Sequence, residues 1–181
     1  MLILTIPKQE YFNSATNEFV SFDAFTLTLE HSLVSISKWE SKWKKPFMDR
    51  NKPKTREETL DYIRCMSMNK NVDPQVFSRI PSSAIKVIQD YIDNPMTATW
   101  FSDKQPQKPS REIMTSETIY YLMIANGIPF ECQKWHLNRL LTLIHVCQLK
   151  NAPQKKMSKR EEMATRKALN AQRRARHNSR G

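Results

Sequence analysis

The first thirty residues alternate. Leu2, Leu4 and Ile6 fall on one side of an extended segment that ends at Pro7, and Phe25, Leu27 and Leu29 alternate with Thr26, Thr28 and Glu30. That is the two-residue period of half-buried strands. Between them, Glu10–Asn13 and Glu18–Phe22 flank a polar Ser14–Asn17 turn, which is a hairpin pattern. The pattern predicts a small antiparallel sheet of three or four strands.

From Ser32 onward the period changes to three and four. Leu33, Ile36, Trp39/Glu40, Trp43 and Phe47 form one helical face, interrupted at Pro46. Thr55-Arg56-Glu57-Glu58 reads as a capping box ahead of the Leu60, Ile63, Met66 stripe. Asp73-Pro74 predicts an N-cap and a first-turn proline for a short helix through Phe77. Ser82 or Ser83 is placed to cap the next helix, with Ile85, Ile88, Tyr91 and Ile92 inward and Asn94-Pro95 as its stop. Residues 96–110, with Pro106 and Pro109, predict a loop pinned by Trp100 and Phe101. Thr115 or Ser116 starts another helix, and Gly127 sits where a left-handed residue ends it. A final body helix is expected over about 131–149, apolar around most of its circumference.

Beyond it the character changes. Asn151-Ala152-Pro153-Gln154 reads as a linker, and past it only Met157, Met163 and Leu169 are large and apolar. Ser158 and Glu161 form a capping box, and alanines at 164, 168, 171 and 175 favour a helix over about 159–175 whose order depends on a partner. The fold class is therefore α+β and mostly α-helical. A small N-terminal antiparallel sheet or hairpin packs on a helical bundle (residues 1–150), followed by a basic helical arm (151–181).

Charge sharpens this division. The chain of 181 residues carries a net +11, but residues 151–181 hold ten Lys or Arg against two acids, a net +8, and the body holds 19 against 16, a net +3. With only two glycines there is no glycine-rich phosphate-cradling loop. No apolar run is long enough for a membrane span, and the first residues lack the basic leader of a signal peptide. Three scattered cysteines, Cys65, Cys132 and Cys147, fit a reducing compartment.

Few residues suggest chemistry. Cys132, His136, His145 and Cys147 resemble a metal-ligand set. On one continuous helix, however, His145 and Cys147 point about 200° apart, so no metal or cofactor is expected. Cys132 and His136 are the one local nucleophile–base pair and lack oxyanion donors. Glu57-Glu58 and Glu161-Glu162 complement helix dipoles. Trp39 and Trp43, among Lys38, Lys42, Lys44 and Lys45, read as core residues with snorkelling lysines rather than a nucleic-acid face. His136, Asn138 and Arg139 read as a structural polar cluster. Arg166, Lys167, Arg173, Arg174 and Arg176 suit phosphates, an acidic protein or simply a solvated terminus, since charge alone does not choose a partner.

Three strings, LEHSLVSISKWESKW (29–43), PMTATWF (95–101) and WHLNRLLTLI (135–144), resemble the tail assembly chaperones encoded in the tail module of long-tailed bacteriophages. The resemblance covers about residues 1–150 and extends to basic extensions like the arm. It implies a non-enzymatic role: coating the tape-measure protein in the host cytoplasm while tail-tube subunits assemble. Read from the residues themselves, the exposed parts of Trp39, Trp43, Phe47, Trp100 and Phe101 suit a groove for an amphipathic helix. Two other readings stand beside it. One is a virion component of the tail or head–tail connector whose arm interlocks with neighbouring copies in a homo-oligomer. The other is a nucleic-acid-binding module acting through residues 155–180.

Overall fold

The computed structural model describes residues 1–14, 17–49, 51–101, 113–152 and 159–177. The chain divides into two units, 1–148 and 149–181. The expected capping residue Ser158 and the proline-containing stretch 102–112 lie outside the described residues.

In the first unit β1 (Leu2–Ile6) pairs with β4 (Phe25–Leu29), and β2 (Gln9–Asn13) pairs with β3 (Glu18–Phe22), both antiparallel. There is no single sheet of three or four strands among the described residues; the strands form two pairs. They are nevertheless one ribbon. Leu2 faces Leu29, Ile6 faces Phe25, Gln9 faces Phe22 and Asn13 faces Glu18, so a single register runs through both pairs. The ladder breaks at Pro7, which has no N–H to donate. Below the break, Leu2, Leu4 and Ile6 meet Leu29, Leu27 and Phe25 on the inner face.

The free edge of β4 is covered. Glu30 N–H donates to Met66 O (2.9 Å) and Met68 N–H to Thr28 O (2.8 Å). The Asn69 side chain then accepts from Thr28 N–H at 2.8 Å and donates to Thr26 O at 3.2 Å.

Helices α1 (Leu33–Trp43), α2 (Arg56–Met66), α3 (Pro74–Ser78), α4 (Ser82–Asp93) and α5 (Ser116–Ala125) follow the sequence pattern. Thr55 and Glu58 form the predicted reciprocal cap of α2, Asp73 caps α3, and Thr115 caps α5. Gly127 follows α5 at φ +64°. The start of α4 differs: Pro81 occupies the N-cap, so neither Ser82 nor Ser83 caps it.

The expected single helix over 131–149 is two elements. A 3-10 helix spans Phe130–Lys134, and α6 spans Leu137–Asn151. The break is tertiary in origin. Ser32 and His136 form a β-bridge, and Leu137 N–H donates to His31 O at 2.7 Å, which holds Trp135 and His136 out of helical geometry. On α6, Leu137, Leu140 and Ile144 are buried, and Leu141, Leu143 and Cys147 are half-buried against the core. In the second unit α7 spans Lys159–His177, two residues beyond the expected end.

The core gathers Leu27, Leu29, Leu33, Ile36, Trp39, Ile63, Met66, Ile119, Met123 and Leu140. Within it sits an acid. Glu40 continues the apolar stripe of α1 and is buried. Its Oε1 accepts Phe47 N–H at 2.7 Å, and its Oε2 accepts Ser116 N–H, in the first turn of α5, at 2.8 Å. The carboxylate thereby fixes the loop after α1 and meets the positive end of the α5 dipole. Replacing Glu40 with Ala orphans two backbone donors. The expected loss is about 3 kcal/mol, against about half that for Glu40→Gln, which keeps one acceptor. Urea denaturation with an unchanged slope checks both.

Candidate functional site

Helices α2 and α4, the start of α6 and loop residues 47–54 line a cavity of about 530 Å3. The one-sided pattern of α4 puts Ile85, Ile88 and Ile92 on its wall, and α2 contributes Tyr62 and Ile63. Polar groups on the lining are His31, Asp49, Lys54, Thr59, Gln89, Asp93 and Asn138.

Most of these are committed to holding the wall. His31 Nδ1 and the Tyr62 hydroxyl are hydrogen-bonded at 2.5 Å, and Ser35 Oγ lies 3.3 Å from the same hydroxyl. The His31 and His136 rings meet edge to face with centroids 5.1 Å apart. Lys54 Nζ donates to Phe47 O at 2.7 Å, and its ammonium lies 3.9 Å from the Phe47 ring centre. Asn138 donates to Ile92 O at 2.9 Å and Asn94 O at 2.8 Å, closing the C-terminal end of α4. The remaining charges are two carboxylates. Asp49 accepts Asn51 N–H at 2.9 Å, and Asp93 accepts from Gln89 Nε2 at 3.0 Å.

Burial dominates the ionisation of this region. Burial, reinforced by His136, lowers His31 to about 3, with Asp93 pulling the other way. Burial likewise lowers His136, against its hydrogen bond to Tyr91 O and the charge of Glu30. Burial lowers Lys54, against the attraction of Glu58, and pushes the Tyr62 and Tyr91 phenols up. At neutral pH the His31–Tyr62 pair thus carries no charge, and it acts as a positioning contact. Chemically the cavity offers an apolar wall with two acids, a receptor for an apolar group next to a cation.

The tryptophans expected at a helix-binding groove are partly separated. Trp39 is 1% exposed and donates through Nε1 to Glu58 O at 2.9 Å. Trp43 donates to Asp61 at 2.8 Å, and Phe47 meets Trp39 edge to face. Trp39, Trp43 and Phe47 therefore form one cluster. Trp100, 88% exposed, and Phe101, stacked edge-on against His145, make no ring contact with it among the described residues. Of the neighbouring lysines, Lys42 pairs with Asp61, and Lys45 pairs with Glu58. That pairing with Lys45, together with backbone and side-chain bonds at Thr55, lowers the Glu58 carboxyl.

His136 Nε2 bonds Tyr91 O at 3.0 Å and its Nδ1 is buried without a partner, while Arg139 stacks on Trp135. Cys132 and His136 precede α6 and do not share its helix, whereas His145 and Cys147 both lie on α6, where residues two apart point in different directions. Among the described residues no group of three His, Cys, Asp or Glu side chains converges as metal ligands. On α7, Arg166, Lys167, Arg173, Arg174 and Arg176 are exposed.

Sequence reasoning passed over the ribbon end. Phe12 and Phe19 are cross-strand partners with rings 5.1 Å apart, and they are 50% and 77% exposed. Tyr11, beside them on β2, is exposed and stacks on Phe22. The available signal was four aromatics, Tyr11, Phe12, Phe19 and Phe22, in two five-residue strands, with neighbours Tyr11 and Phe12 on opposite faces. The cavity residues His31, Asp49 and Asp93 carried no local signal, because three separate segments supply them.

No family model, curated protein or solved structure matches this chain. No helix among the described residues is long and apolar enough to cross a membrane.

The two buried histidines set an acid limit. Both have folded pKa values below the ordinary 6.5, so the unfolded chain takes up protons first. Stability is complete above that value and falls as pH drops below it, by up to about 1.4 kcal/mol per pH unit for each histidine. Urea midpoints should fall between pH 7.5 and pH 5. A His31→Gln variant, lower in stability overall, should show a shallower fall; an equal slope in both proteins contradicts the assignment.

Proposed function

We propose that this chain is a non-enzymatic tail assembly chaperone of a tailed bacteriophage, which acts in the host cytoplasm and binds helices of the tape-measure protein during tail assembly. The strings in residues 29–43, 95–101 and 135–144 support the family. The exposed Phe12–Phe19 pair carries the binding role. Large aromatics left in water at the end of a ribbon are unfavourable unless something covers them, and aromatic side chains dominate the energy of protein contacts. Trp100, in another segment, is a further exposed aromatic. Buried Glu40 and half-buried Asn69 and Asn138, by contrast, are engaged in fixing backbone. That division suits a binding module better than a catalyst.

Co-expression with the tape-measure protein tests this. The full chain should keep it soluble and co-purify with it. A Phe12→Ser, Phe19→Ser double variant, folded by circular dichroism, should bind it about tenfold or more weakly. A tape-measure protein that stays soluble alone, or binds both chains equally, overturns the reading.

A further inference from the structure

We propose that the cavity between α2 and α4 receives α7 of a second copy of this chain. Three observations on the cavity and the arm match. The first is charge. The cavity presents exposed Asp93 and, more deeply set, buried Asp49, and its one lysine, Lys54, is already held by Phe47 O. The arm carries a net +8. The second is the order of side chains. At about 100° per residue, Met163, Arg166, Leu169, Asn170 and Arg173 share one arc of roughly 120° on α7. Met163 is 73% and Leu169 48% exposed, so two apolar side chains alternate with two guanidinium groups along this face and reach water. The cavity lining holds both kinds of partner, half-buried Ile85 and Ile92 on α4 and the carboxylates of Asp93 and Asp49. The third is length. Met163 to Arg173 spans about 15 Å along a helix and Ile85 to Asp93 about 12 Å, so the two faces run over comparable distances.

An isolated helix with so few large apolar residues is marginal in water, so α7 gains most from a surface that supplies the missing contacts. An amphipathic helix laid in a groove is a recurrent mode of recognition, with anchors three and four residues apart. Here Met163 and Leu169 are the apolar anchors, and Arg166 and Arg173 face Asp49 and Asp93. The inference needs no client and is measured without one.

Light scattering on the full chain tests it. At 0.1 M salt the chain should associate beyond a monomer. It should fall apart near 1 M salt, as the Debye length drops from about 10 Å to about 3 Å. Asp93 is exposed, so Asp93→Arg should leave the fold intact and give monomers, as should Arg166→Glu with Arg173→Glu. Mixing the two variants should restore association, because each arm then meets a cavity of opposite charge. A monomeric full chain at low salt overturns the proposal, and so does a mixture that stays monomeric. It also fails if the arm is protected from protease in a monomer, which means docking in its own copy. Equally, it fails if the arm substitutions abolish binding of a single-stranded oligonucleotide and leave association unchanged.

Discussion

At the turn from β4 into α1 three successive buried polar residues tie five elements together. Glu30 accepts the Tyr91 hydroxyl of α4 at 2.7 Å. His31 bonds the Tyr62 hydroxyl of α2 through its ring and the first N–H of α6 through its carbonyl. Ser32 caps α1 in a reciprocal bond with Ser35 and forms the bridge to His136. Buried polar groups are strongly destabilising when unpaired, so each of these contacts requires the others to be in place. The ribbon, four helices and one wall of the cavity take their positions from this corner. The two histidines can occupy it because both remain neutral, a condition that burial enforces.

What was legible in the sequence was local. The Thr55–Glu58 box, the Asp73-Pro74 start and the left-handed Gly127 each draw their energy from bonds within a few residues, and the structure contains all three. The failures share the opposite character. Apolar periodicity runs unbroken through residues 131–149, yet the helix stops because Ser32, about a hundred residues earlier, pairs with His136. Alternation marked each strand correctly but did not say that one register spans both pairs across Pro7. Ser82 and Ser83 are good caps in isolation, but the chain enters α4 one residue earlier, at Pro81.

The same distinction governs the candidate site. Charge on the arm is a property of composition and survives into the structure as five exposed cations on α7. The cavity is not visible in composition. His31, Asp49 and Asp93 come from three separate segments, and nothing short of tertiary structure brings them together. Glu40 lies between these cases. A carboxylate on an otherwise apolar helical stripe signals a buried acceptor, although the stripe does not reveal that Phe47 and Ser116 are its donors.

The division into a body of net +3 and an arm of net +8 bears on how tightly the proposed arm docking can hold. A helix that must be ordered as it binds gives up part of its interaction energy to that ordering, which lowers affinity for a given contact area. Cationic contacts on exposed side chains are also weakened by salt. Few large apolar residues on α7 limit the remaining contribution, since Met163 and Leu169 are its exposed anchors. Each of these factors favours an association that forms and dissolves readily over a permanent one. The exposed Phe12–Phe19 pair differs on each count. It sits on a preformed hairpin with a fixed register and is uncharged, so little ordering accompanies its burial and salt barely opposes it. Contacts between copies through the arm and contacts with a client through the ribbon would therefore respond to different physical conditions, and one can be released without releasing the other.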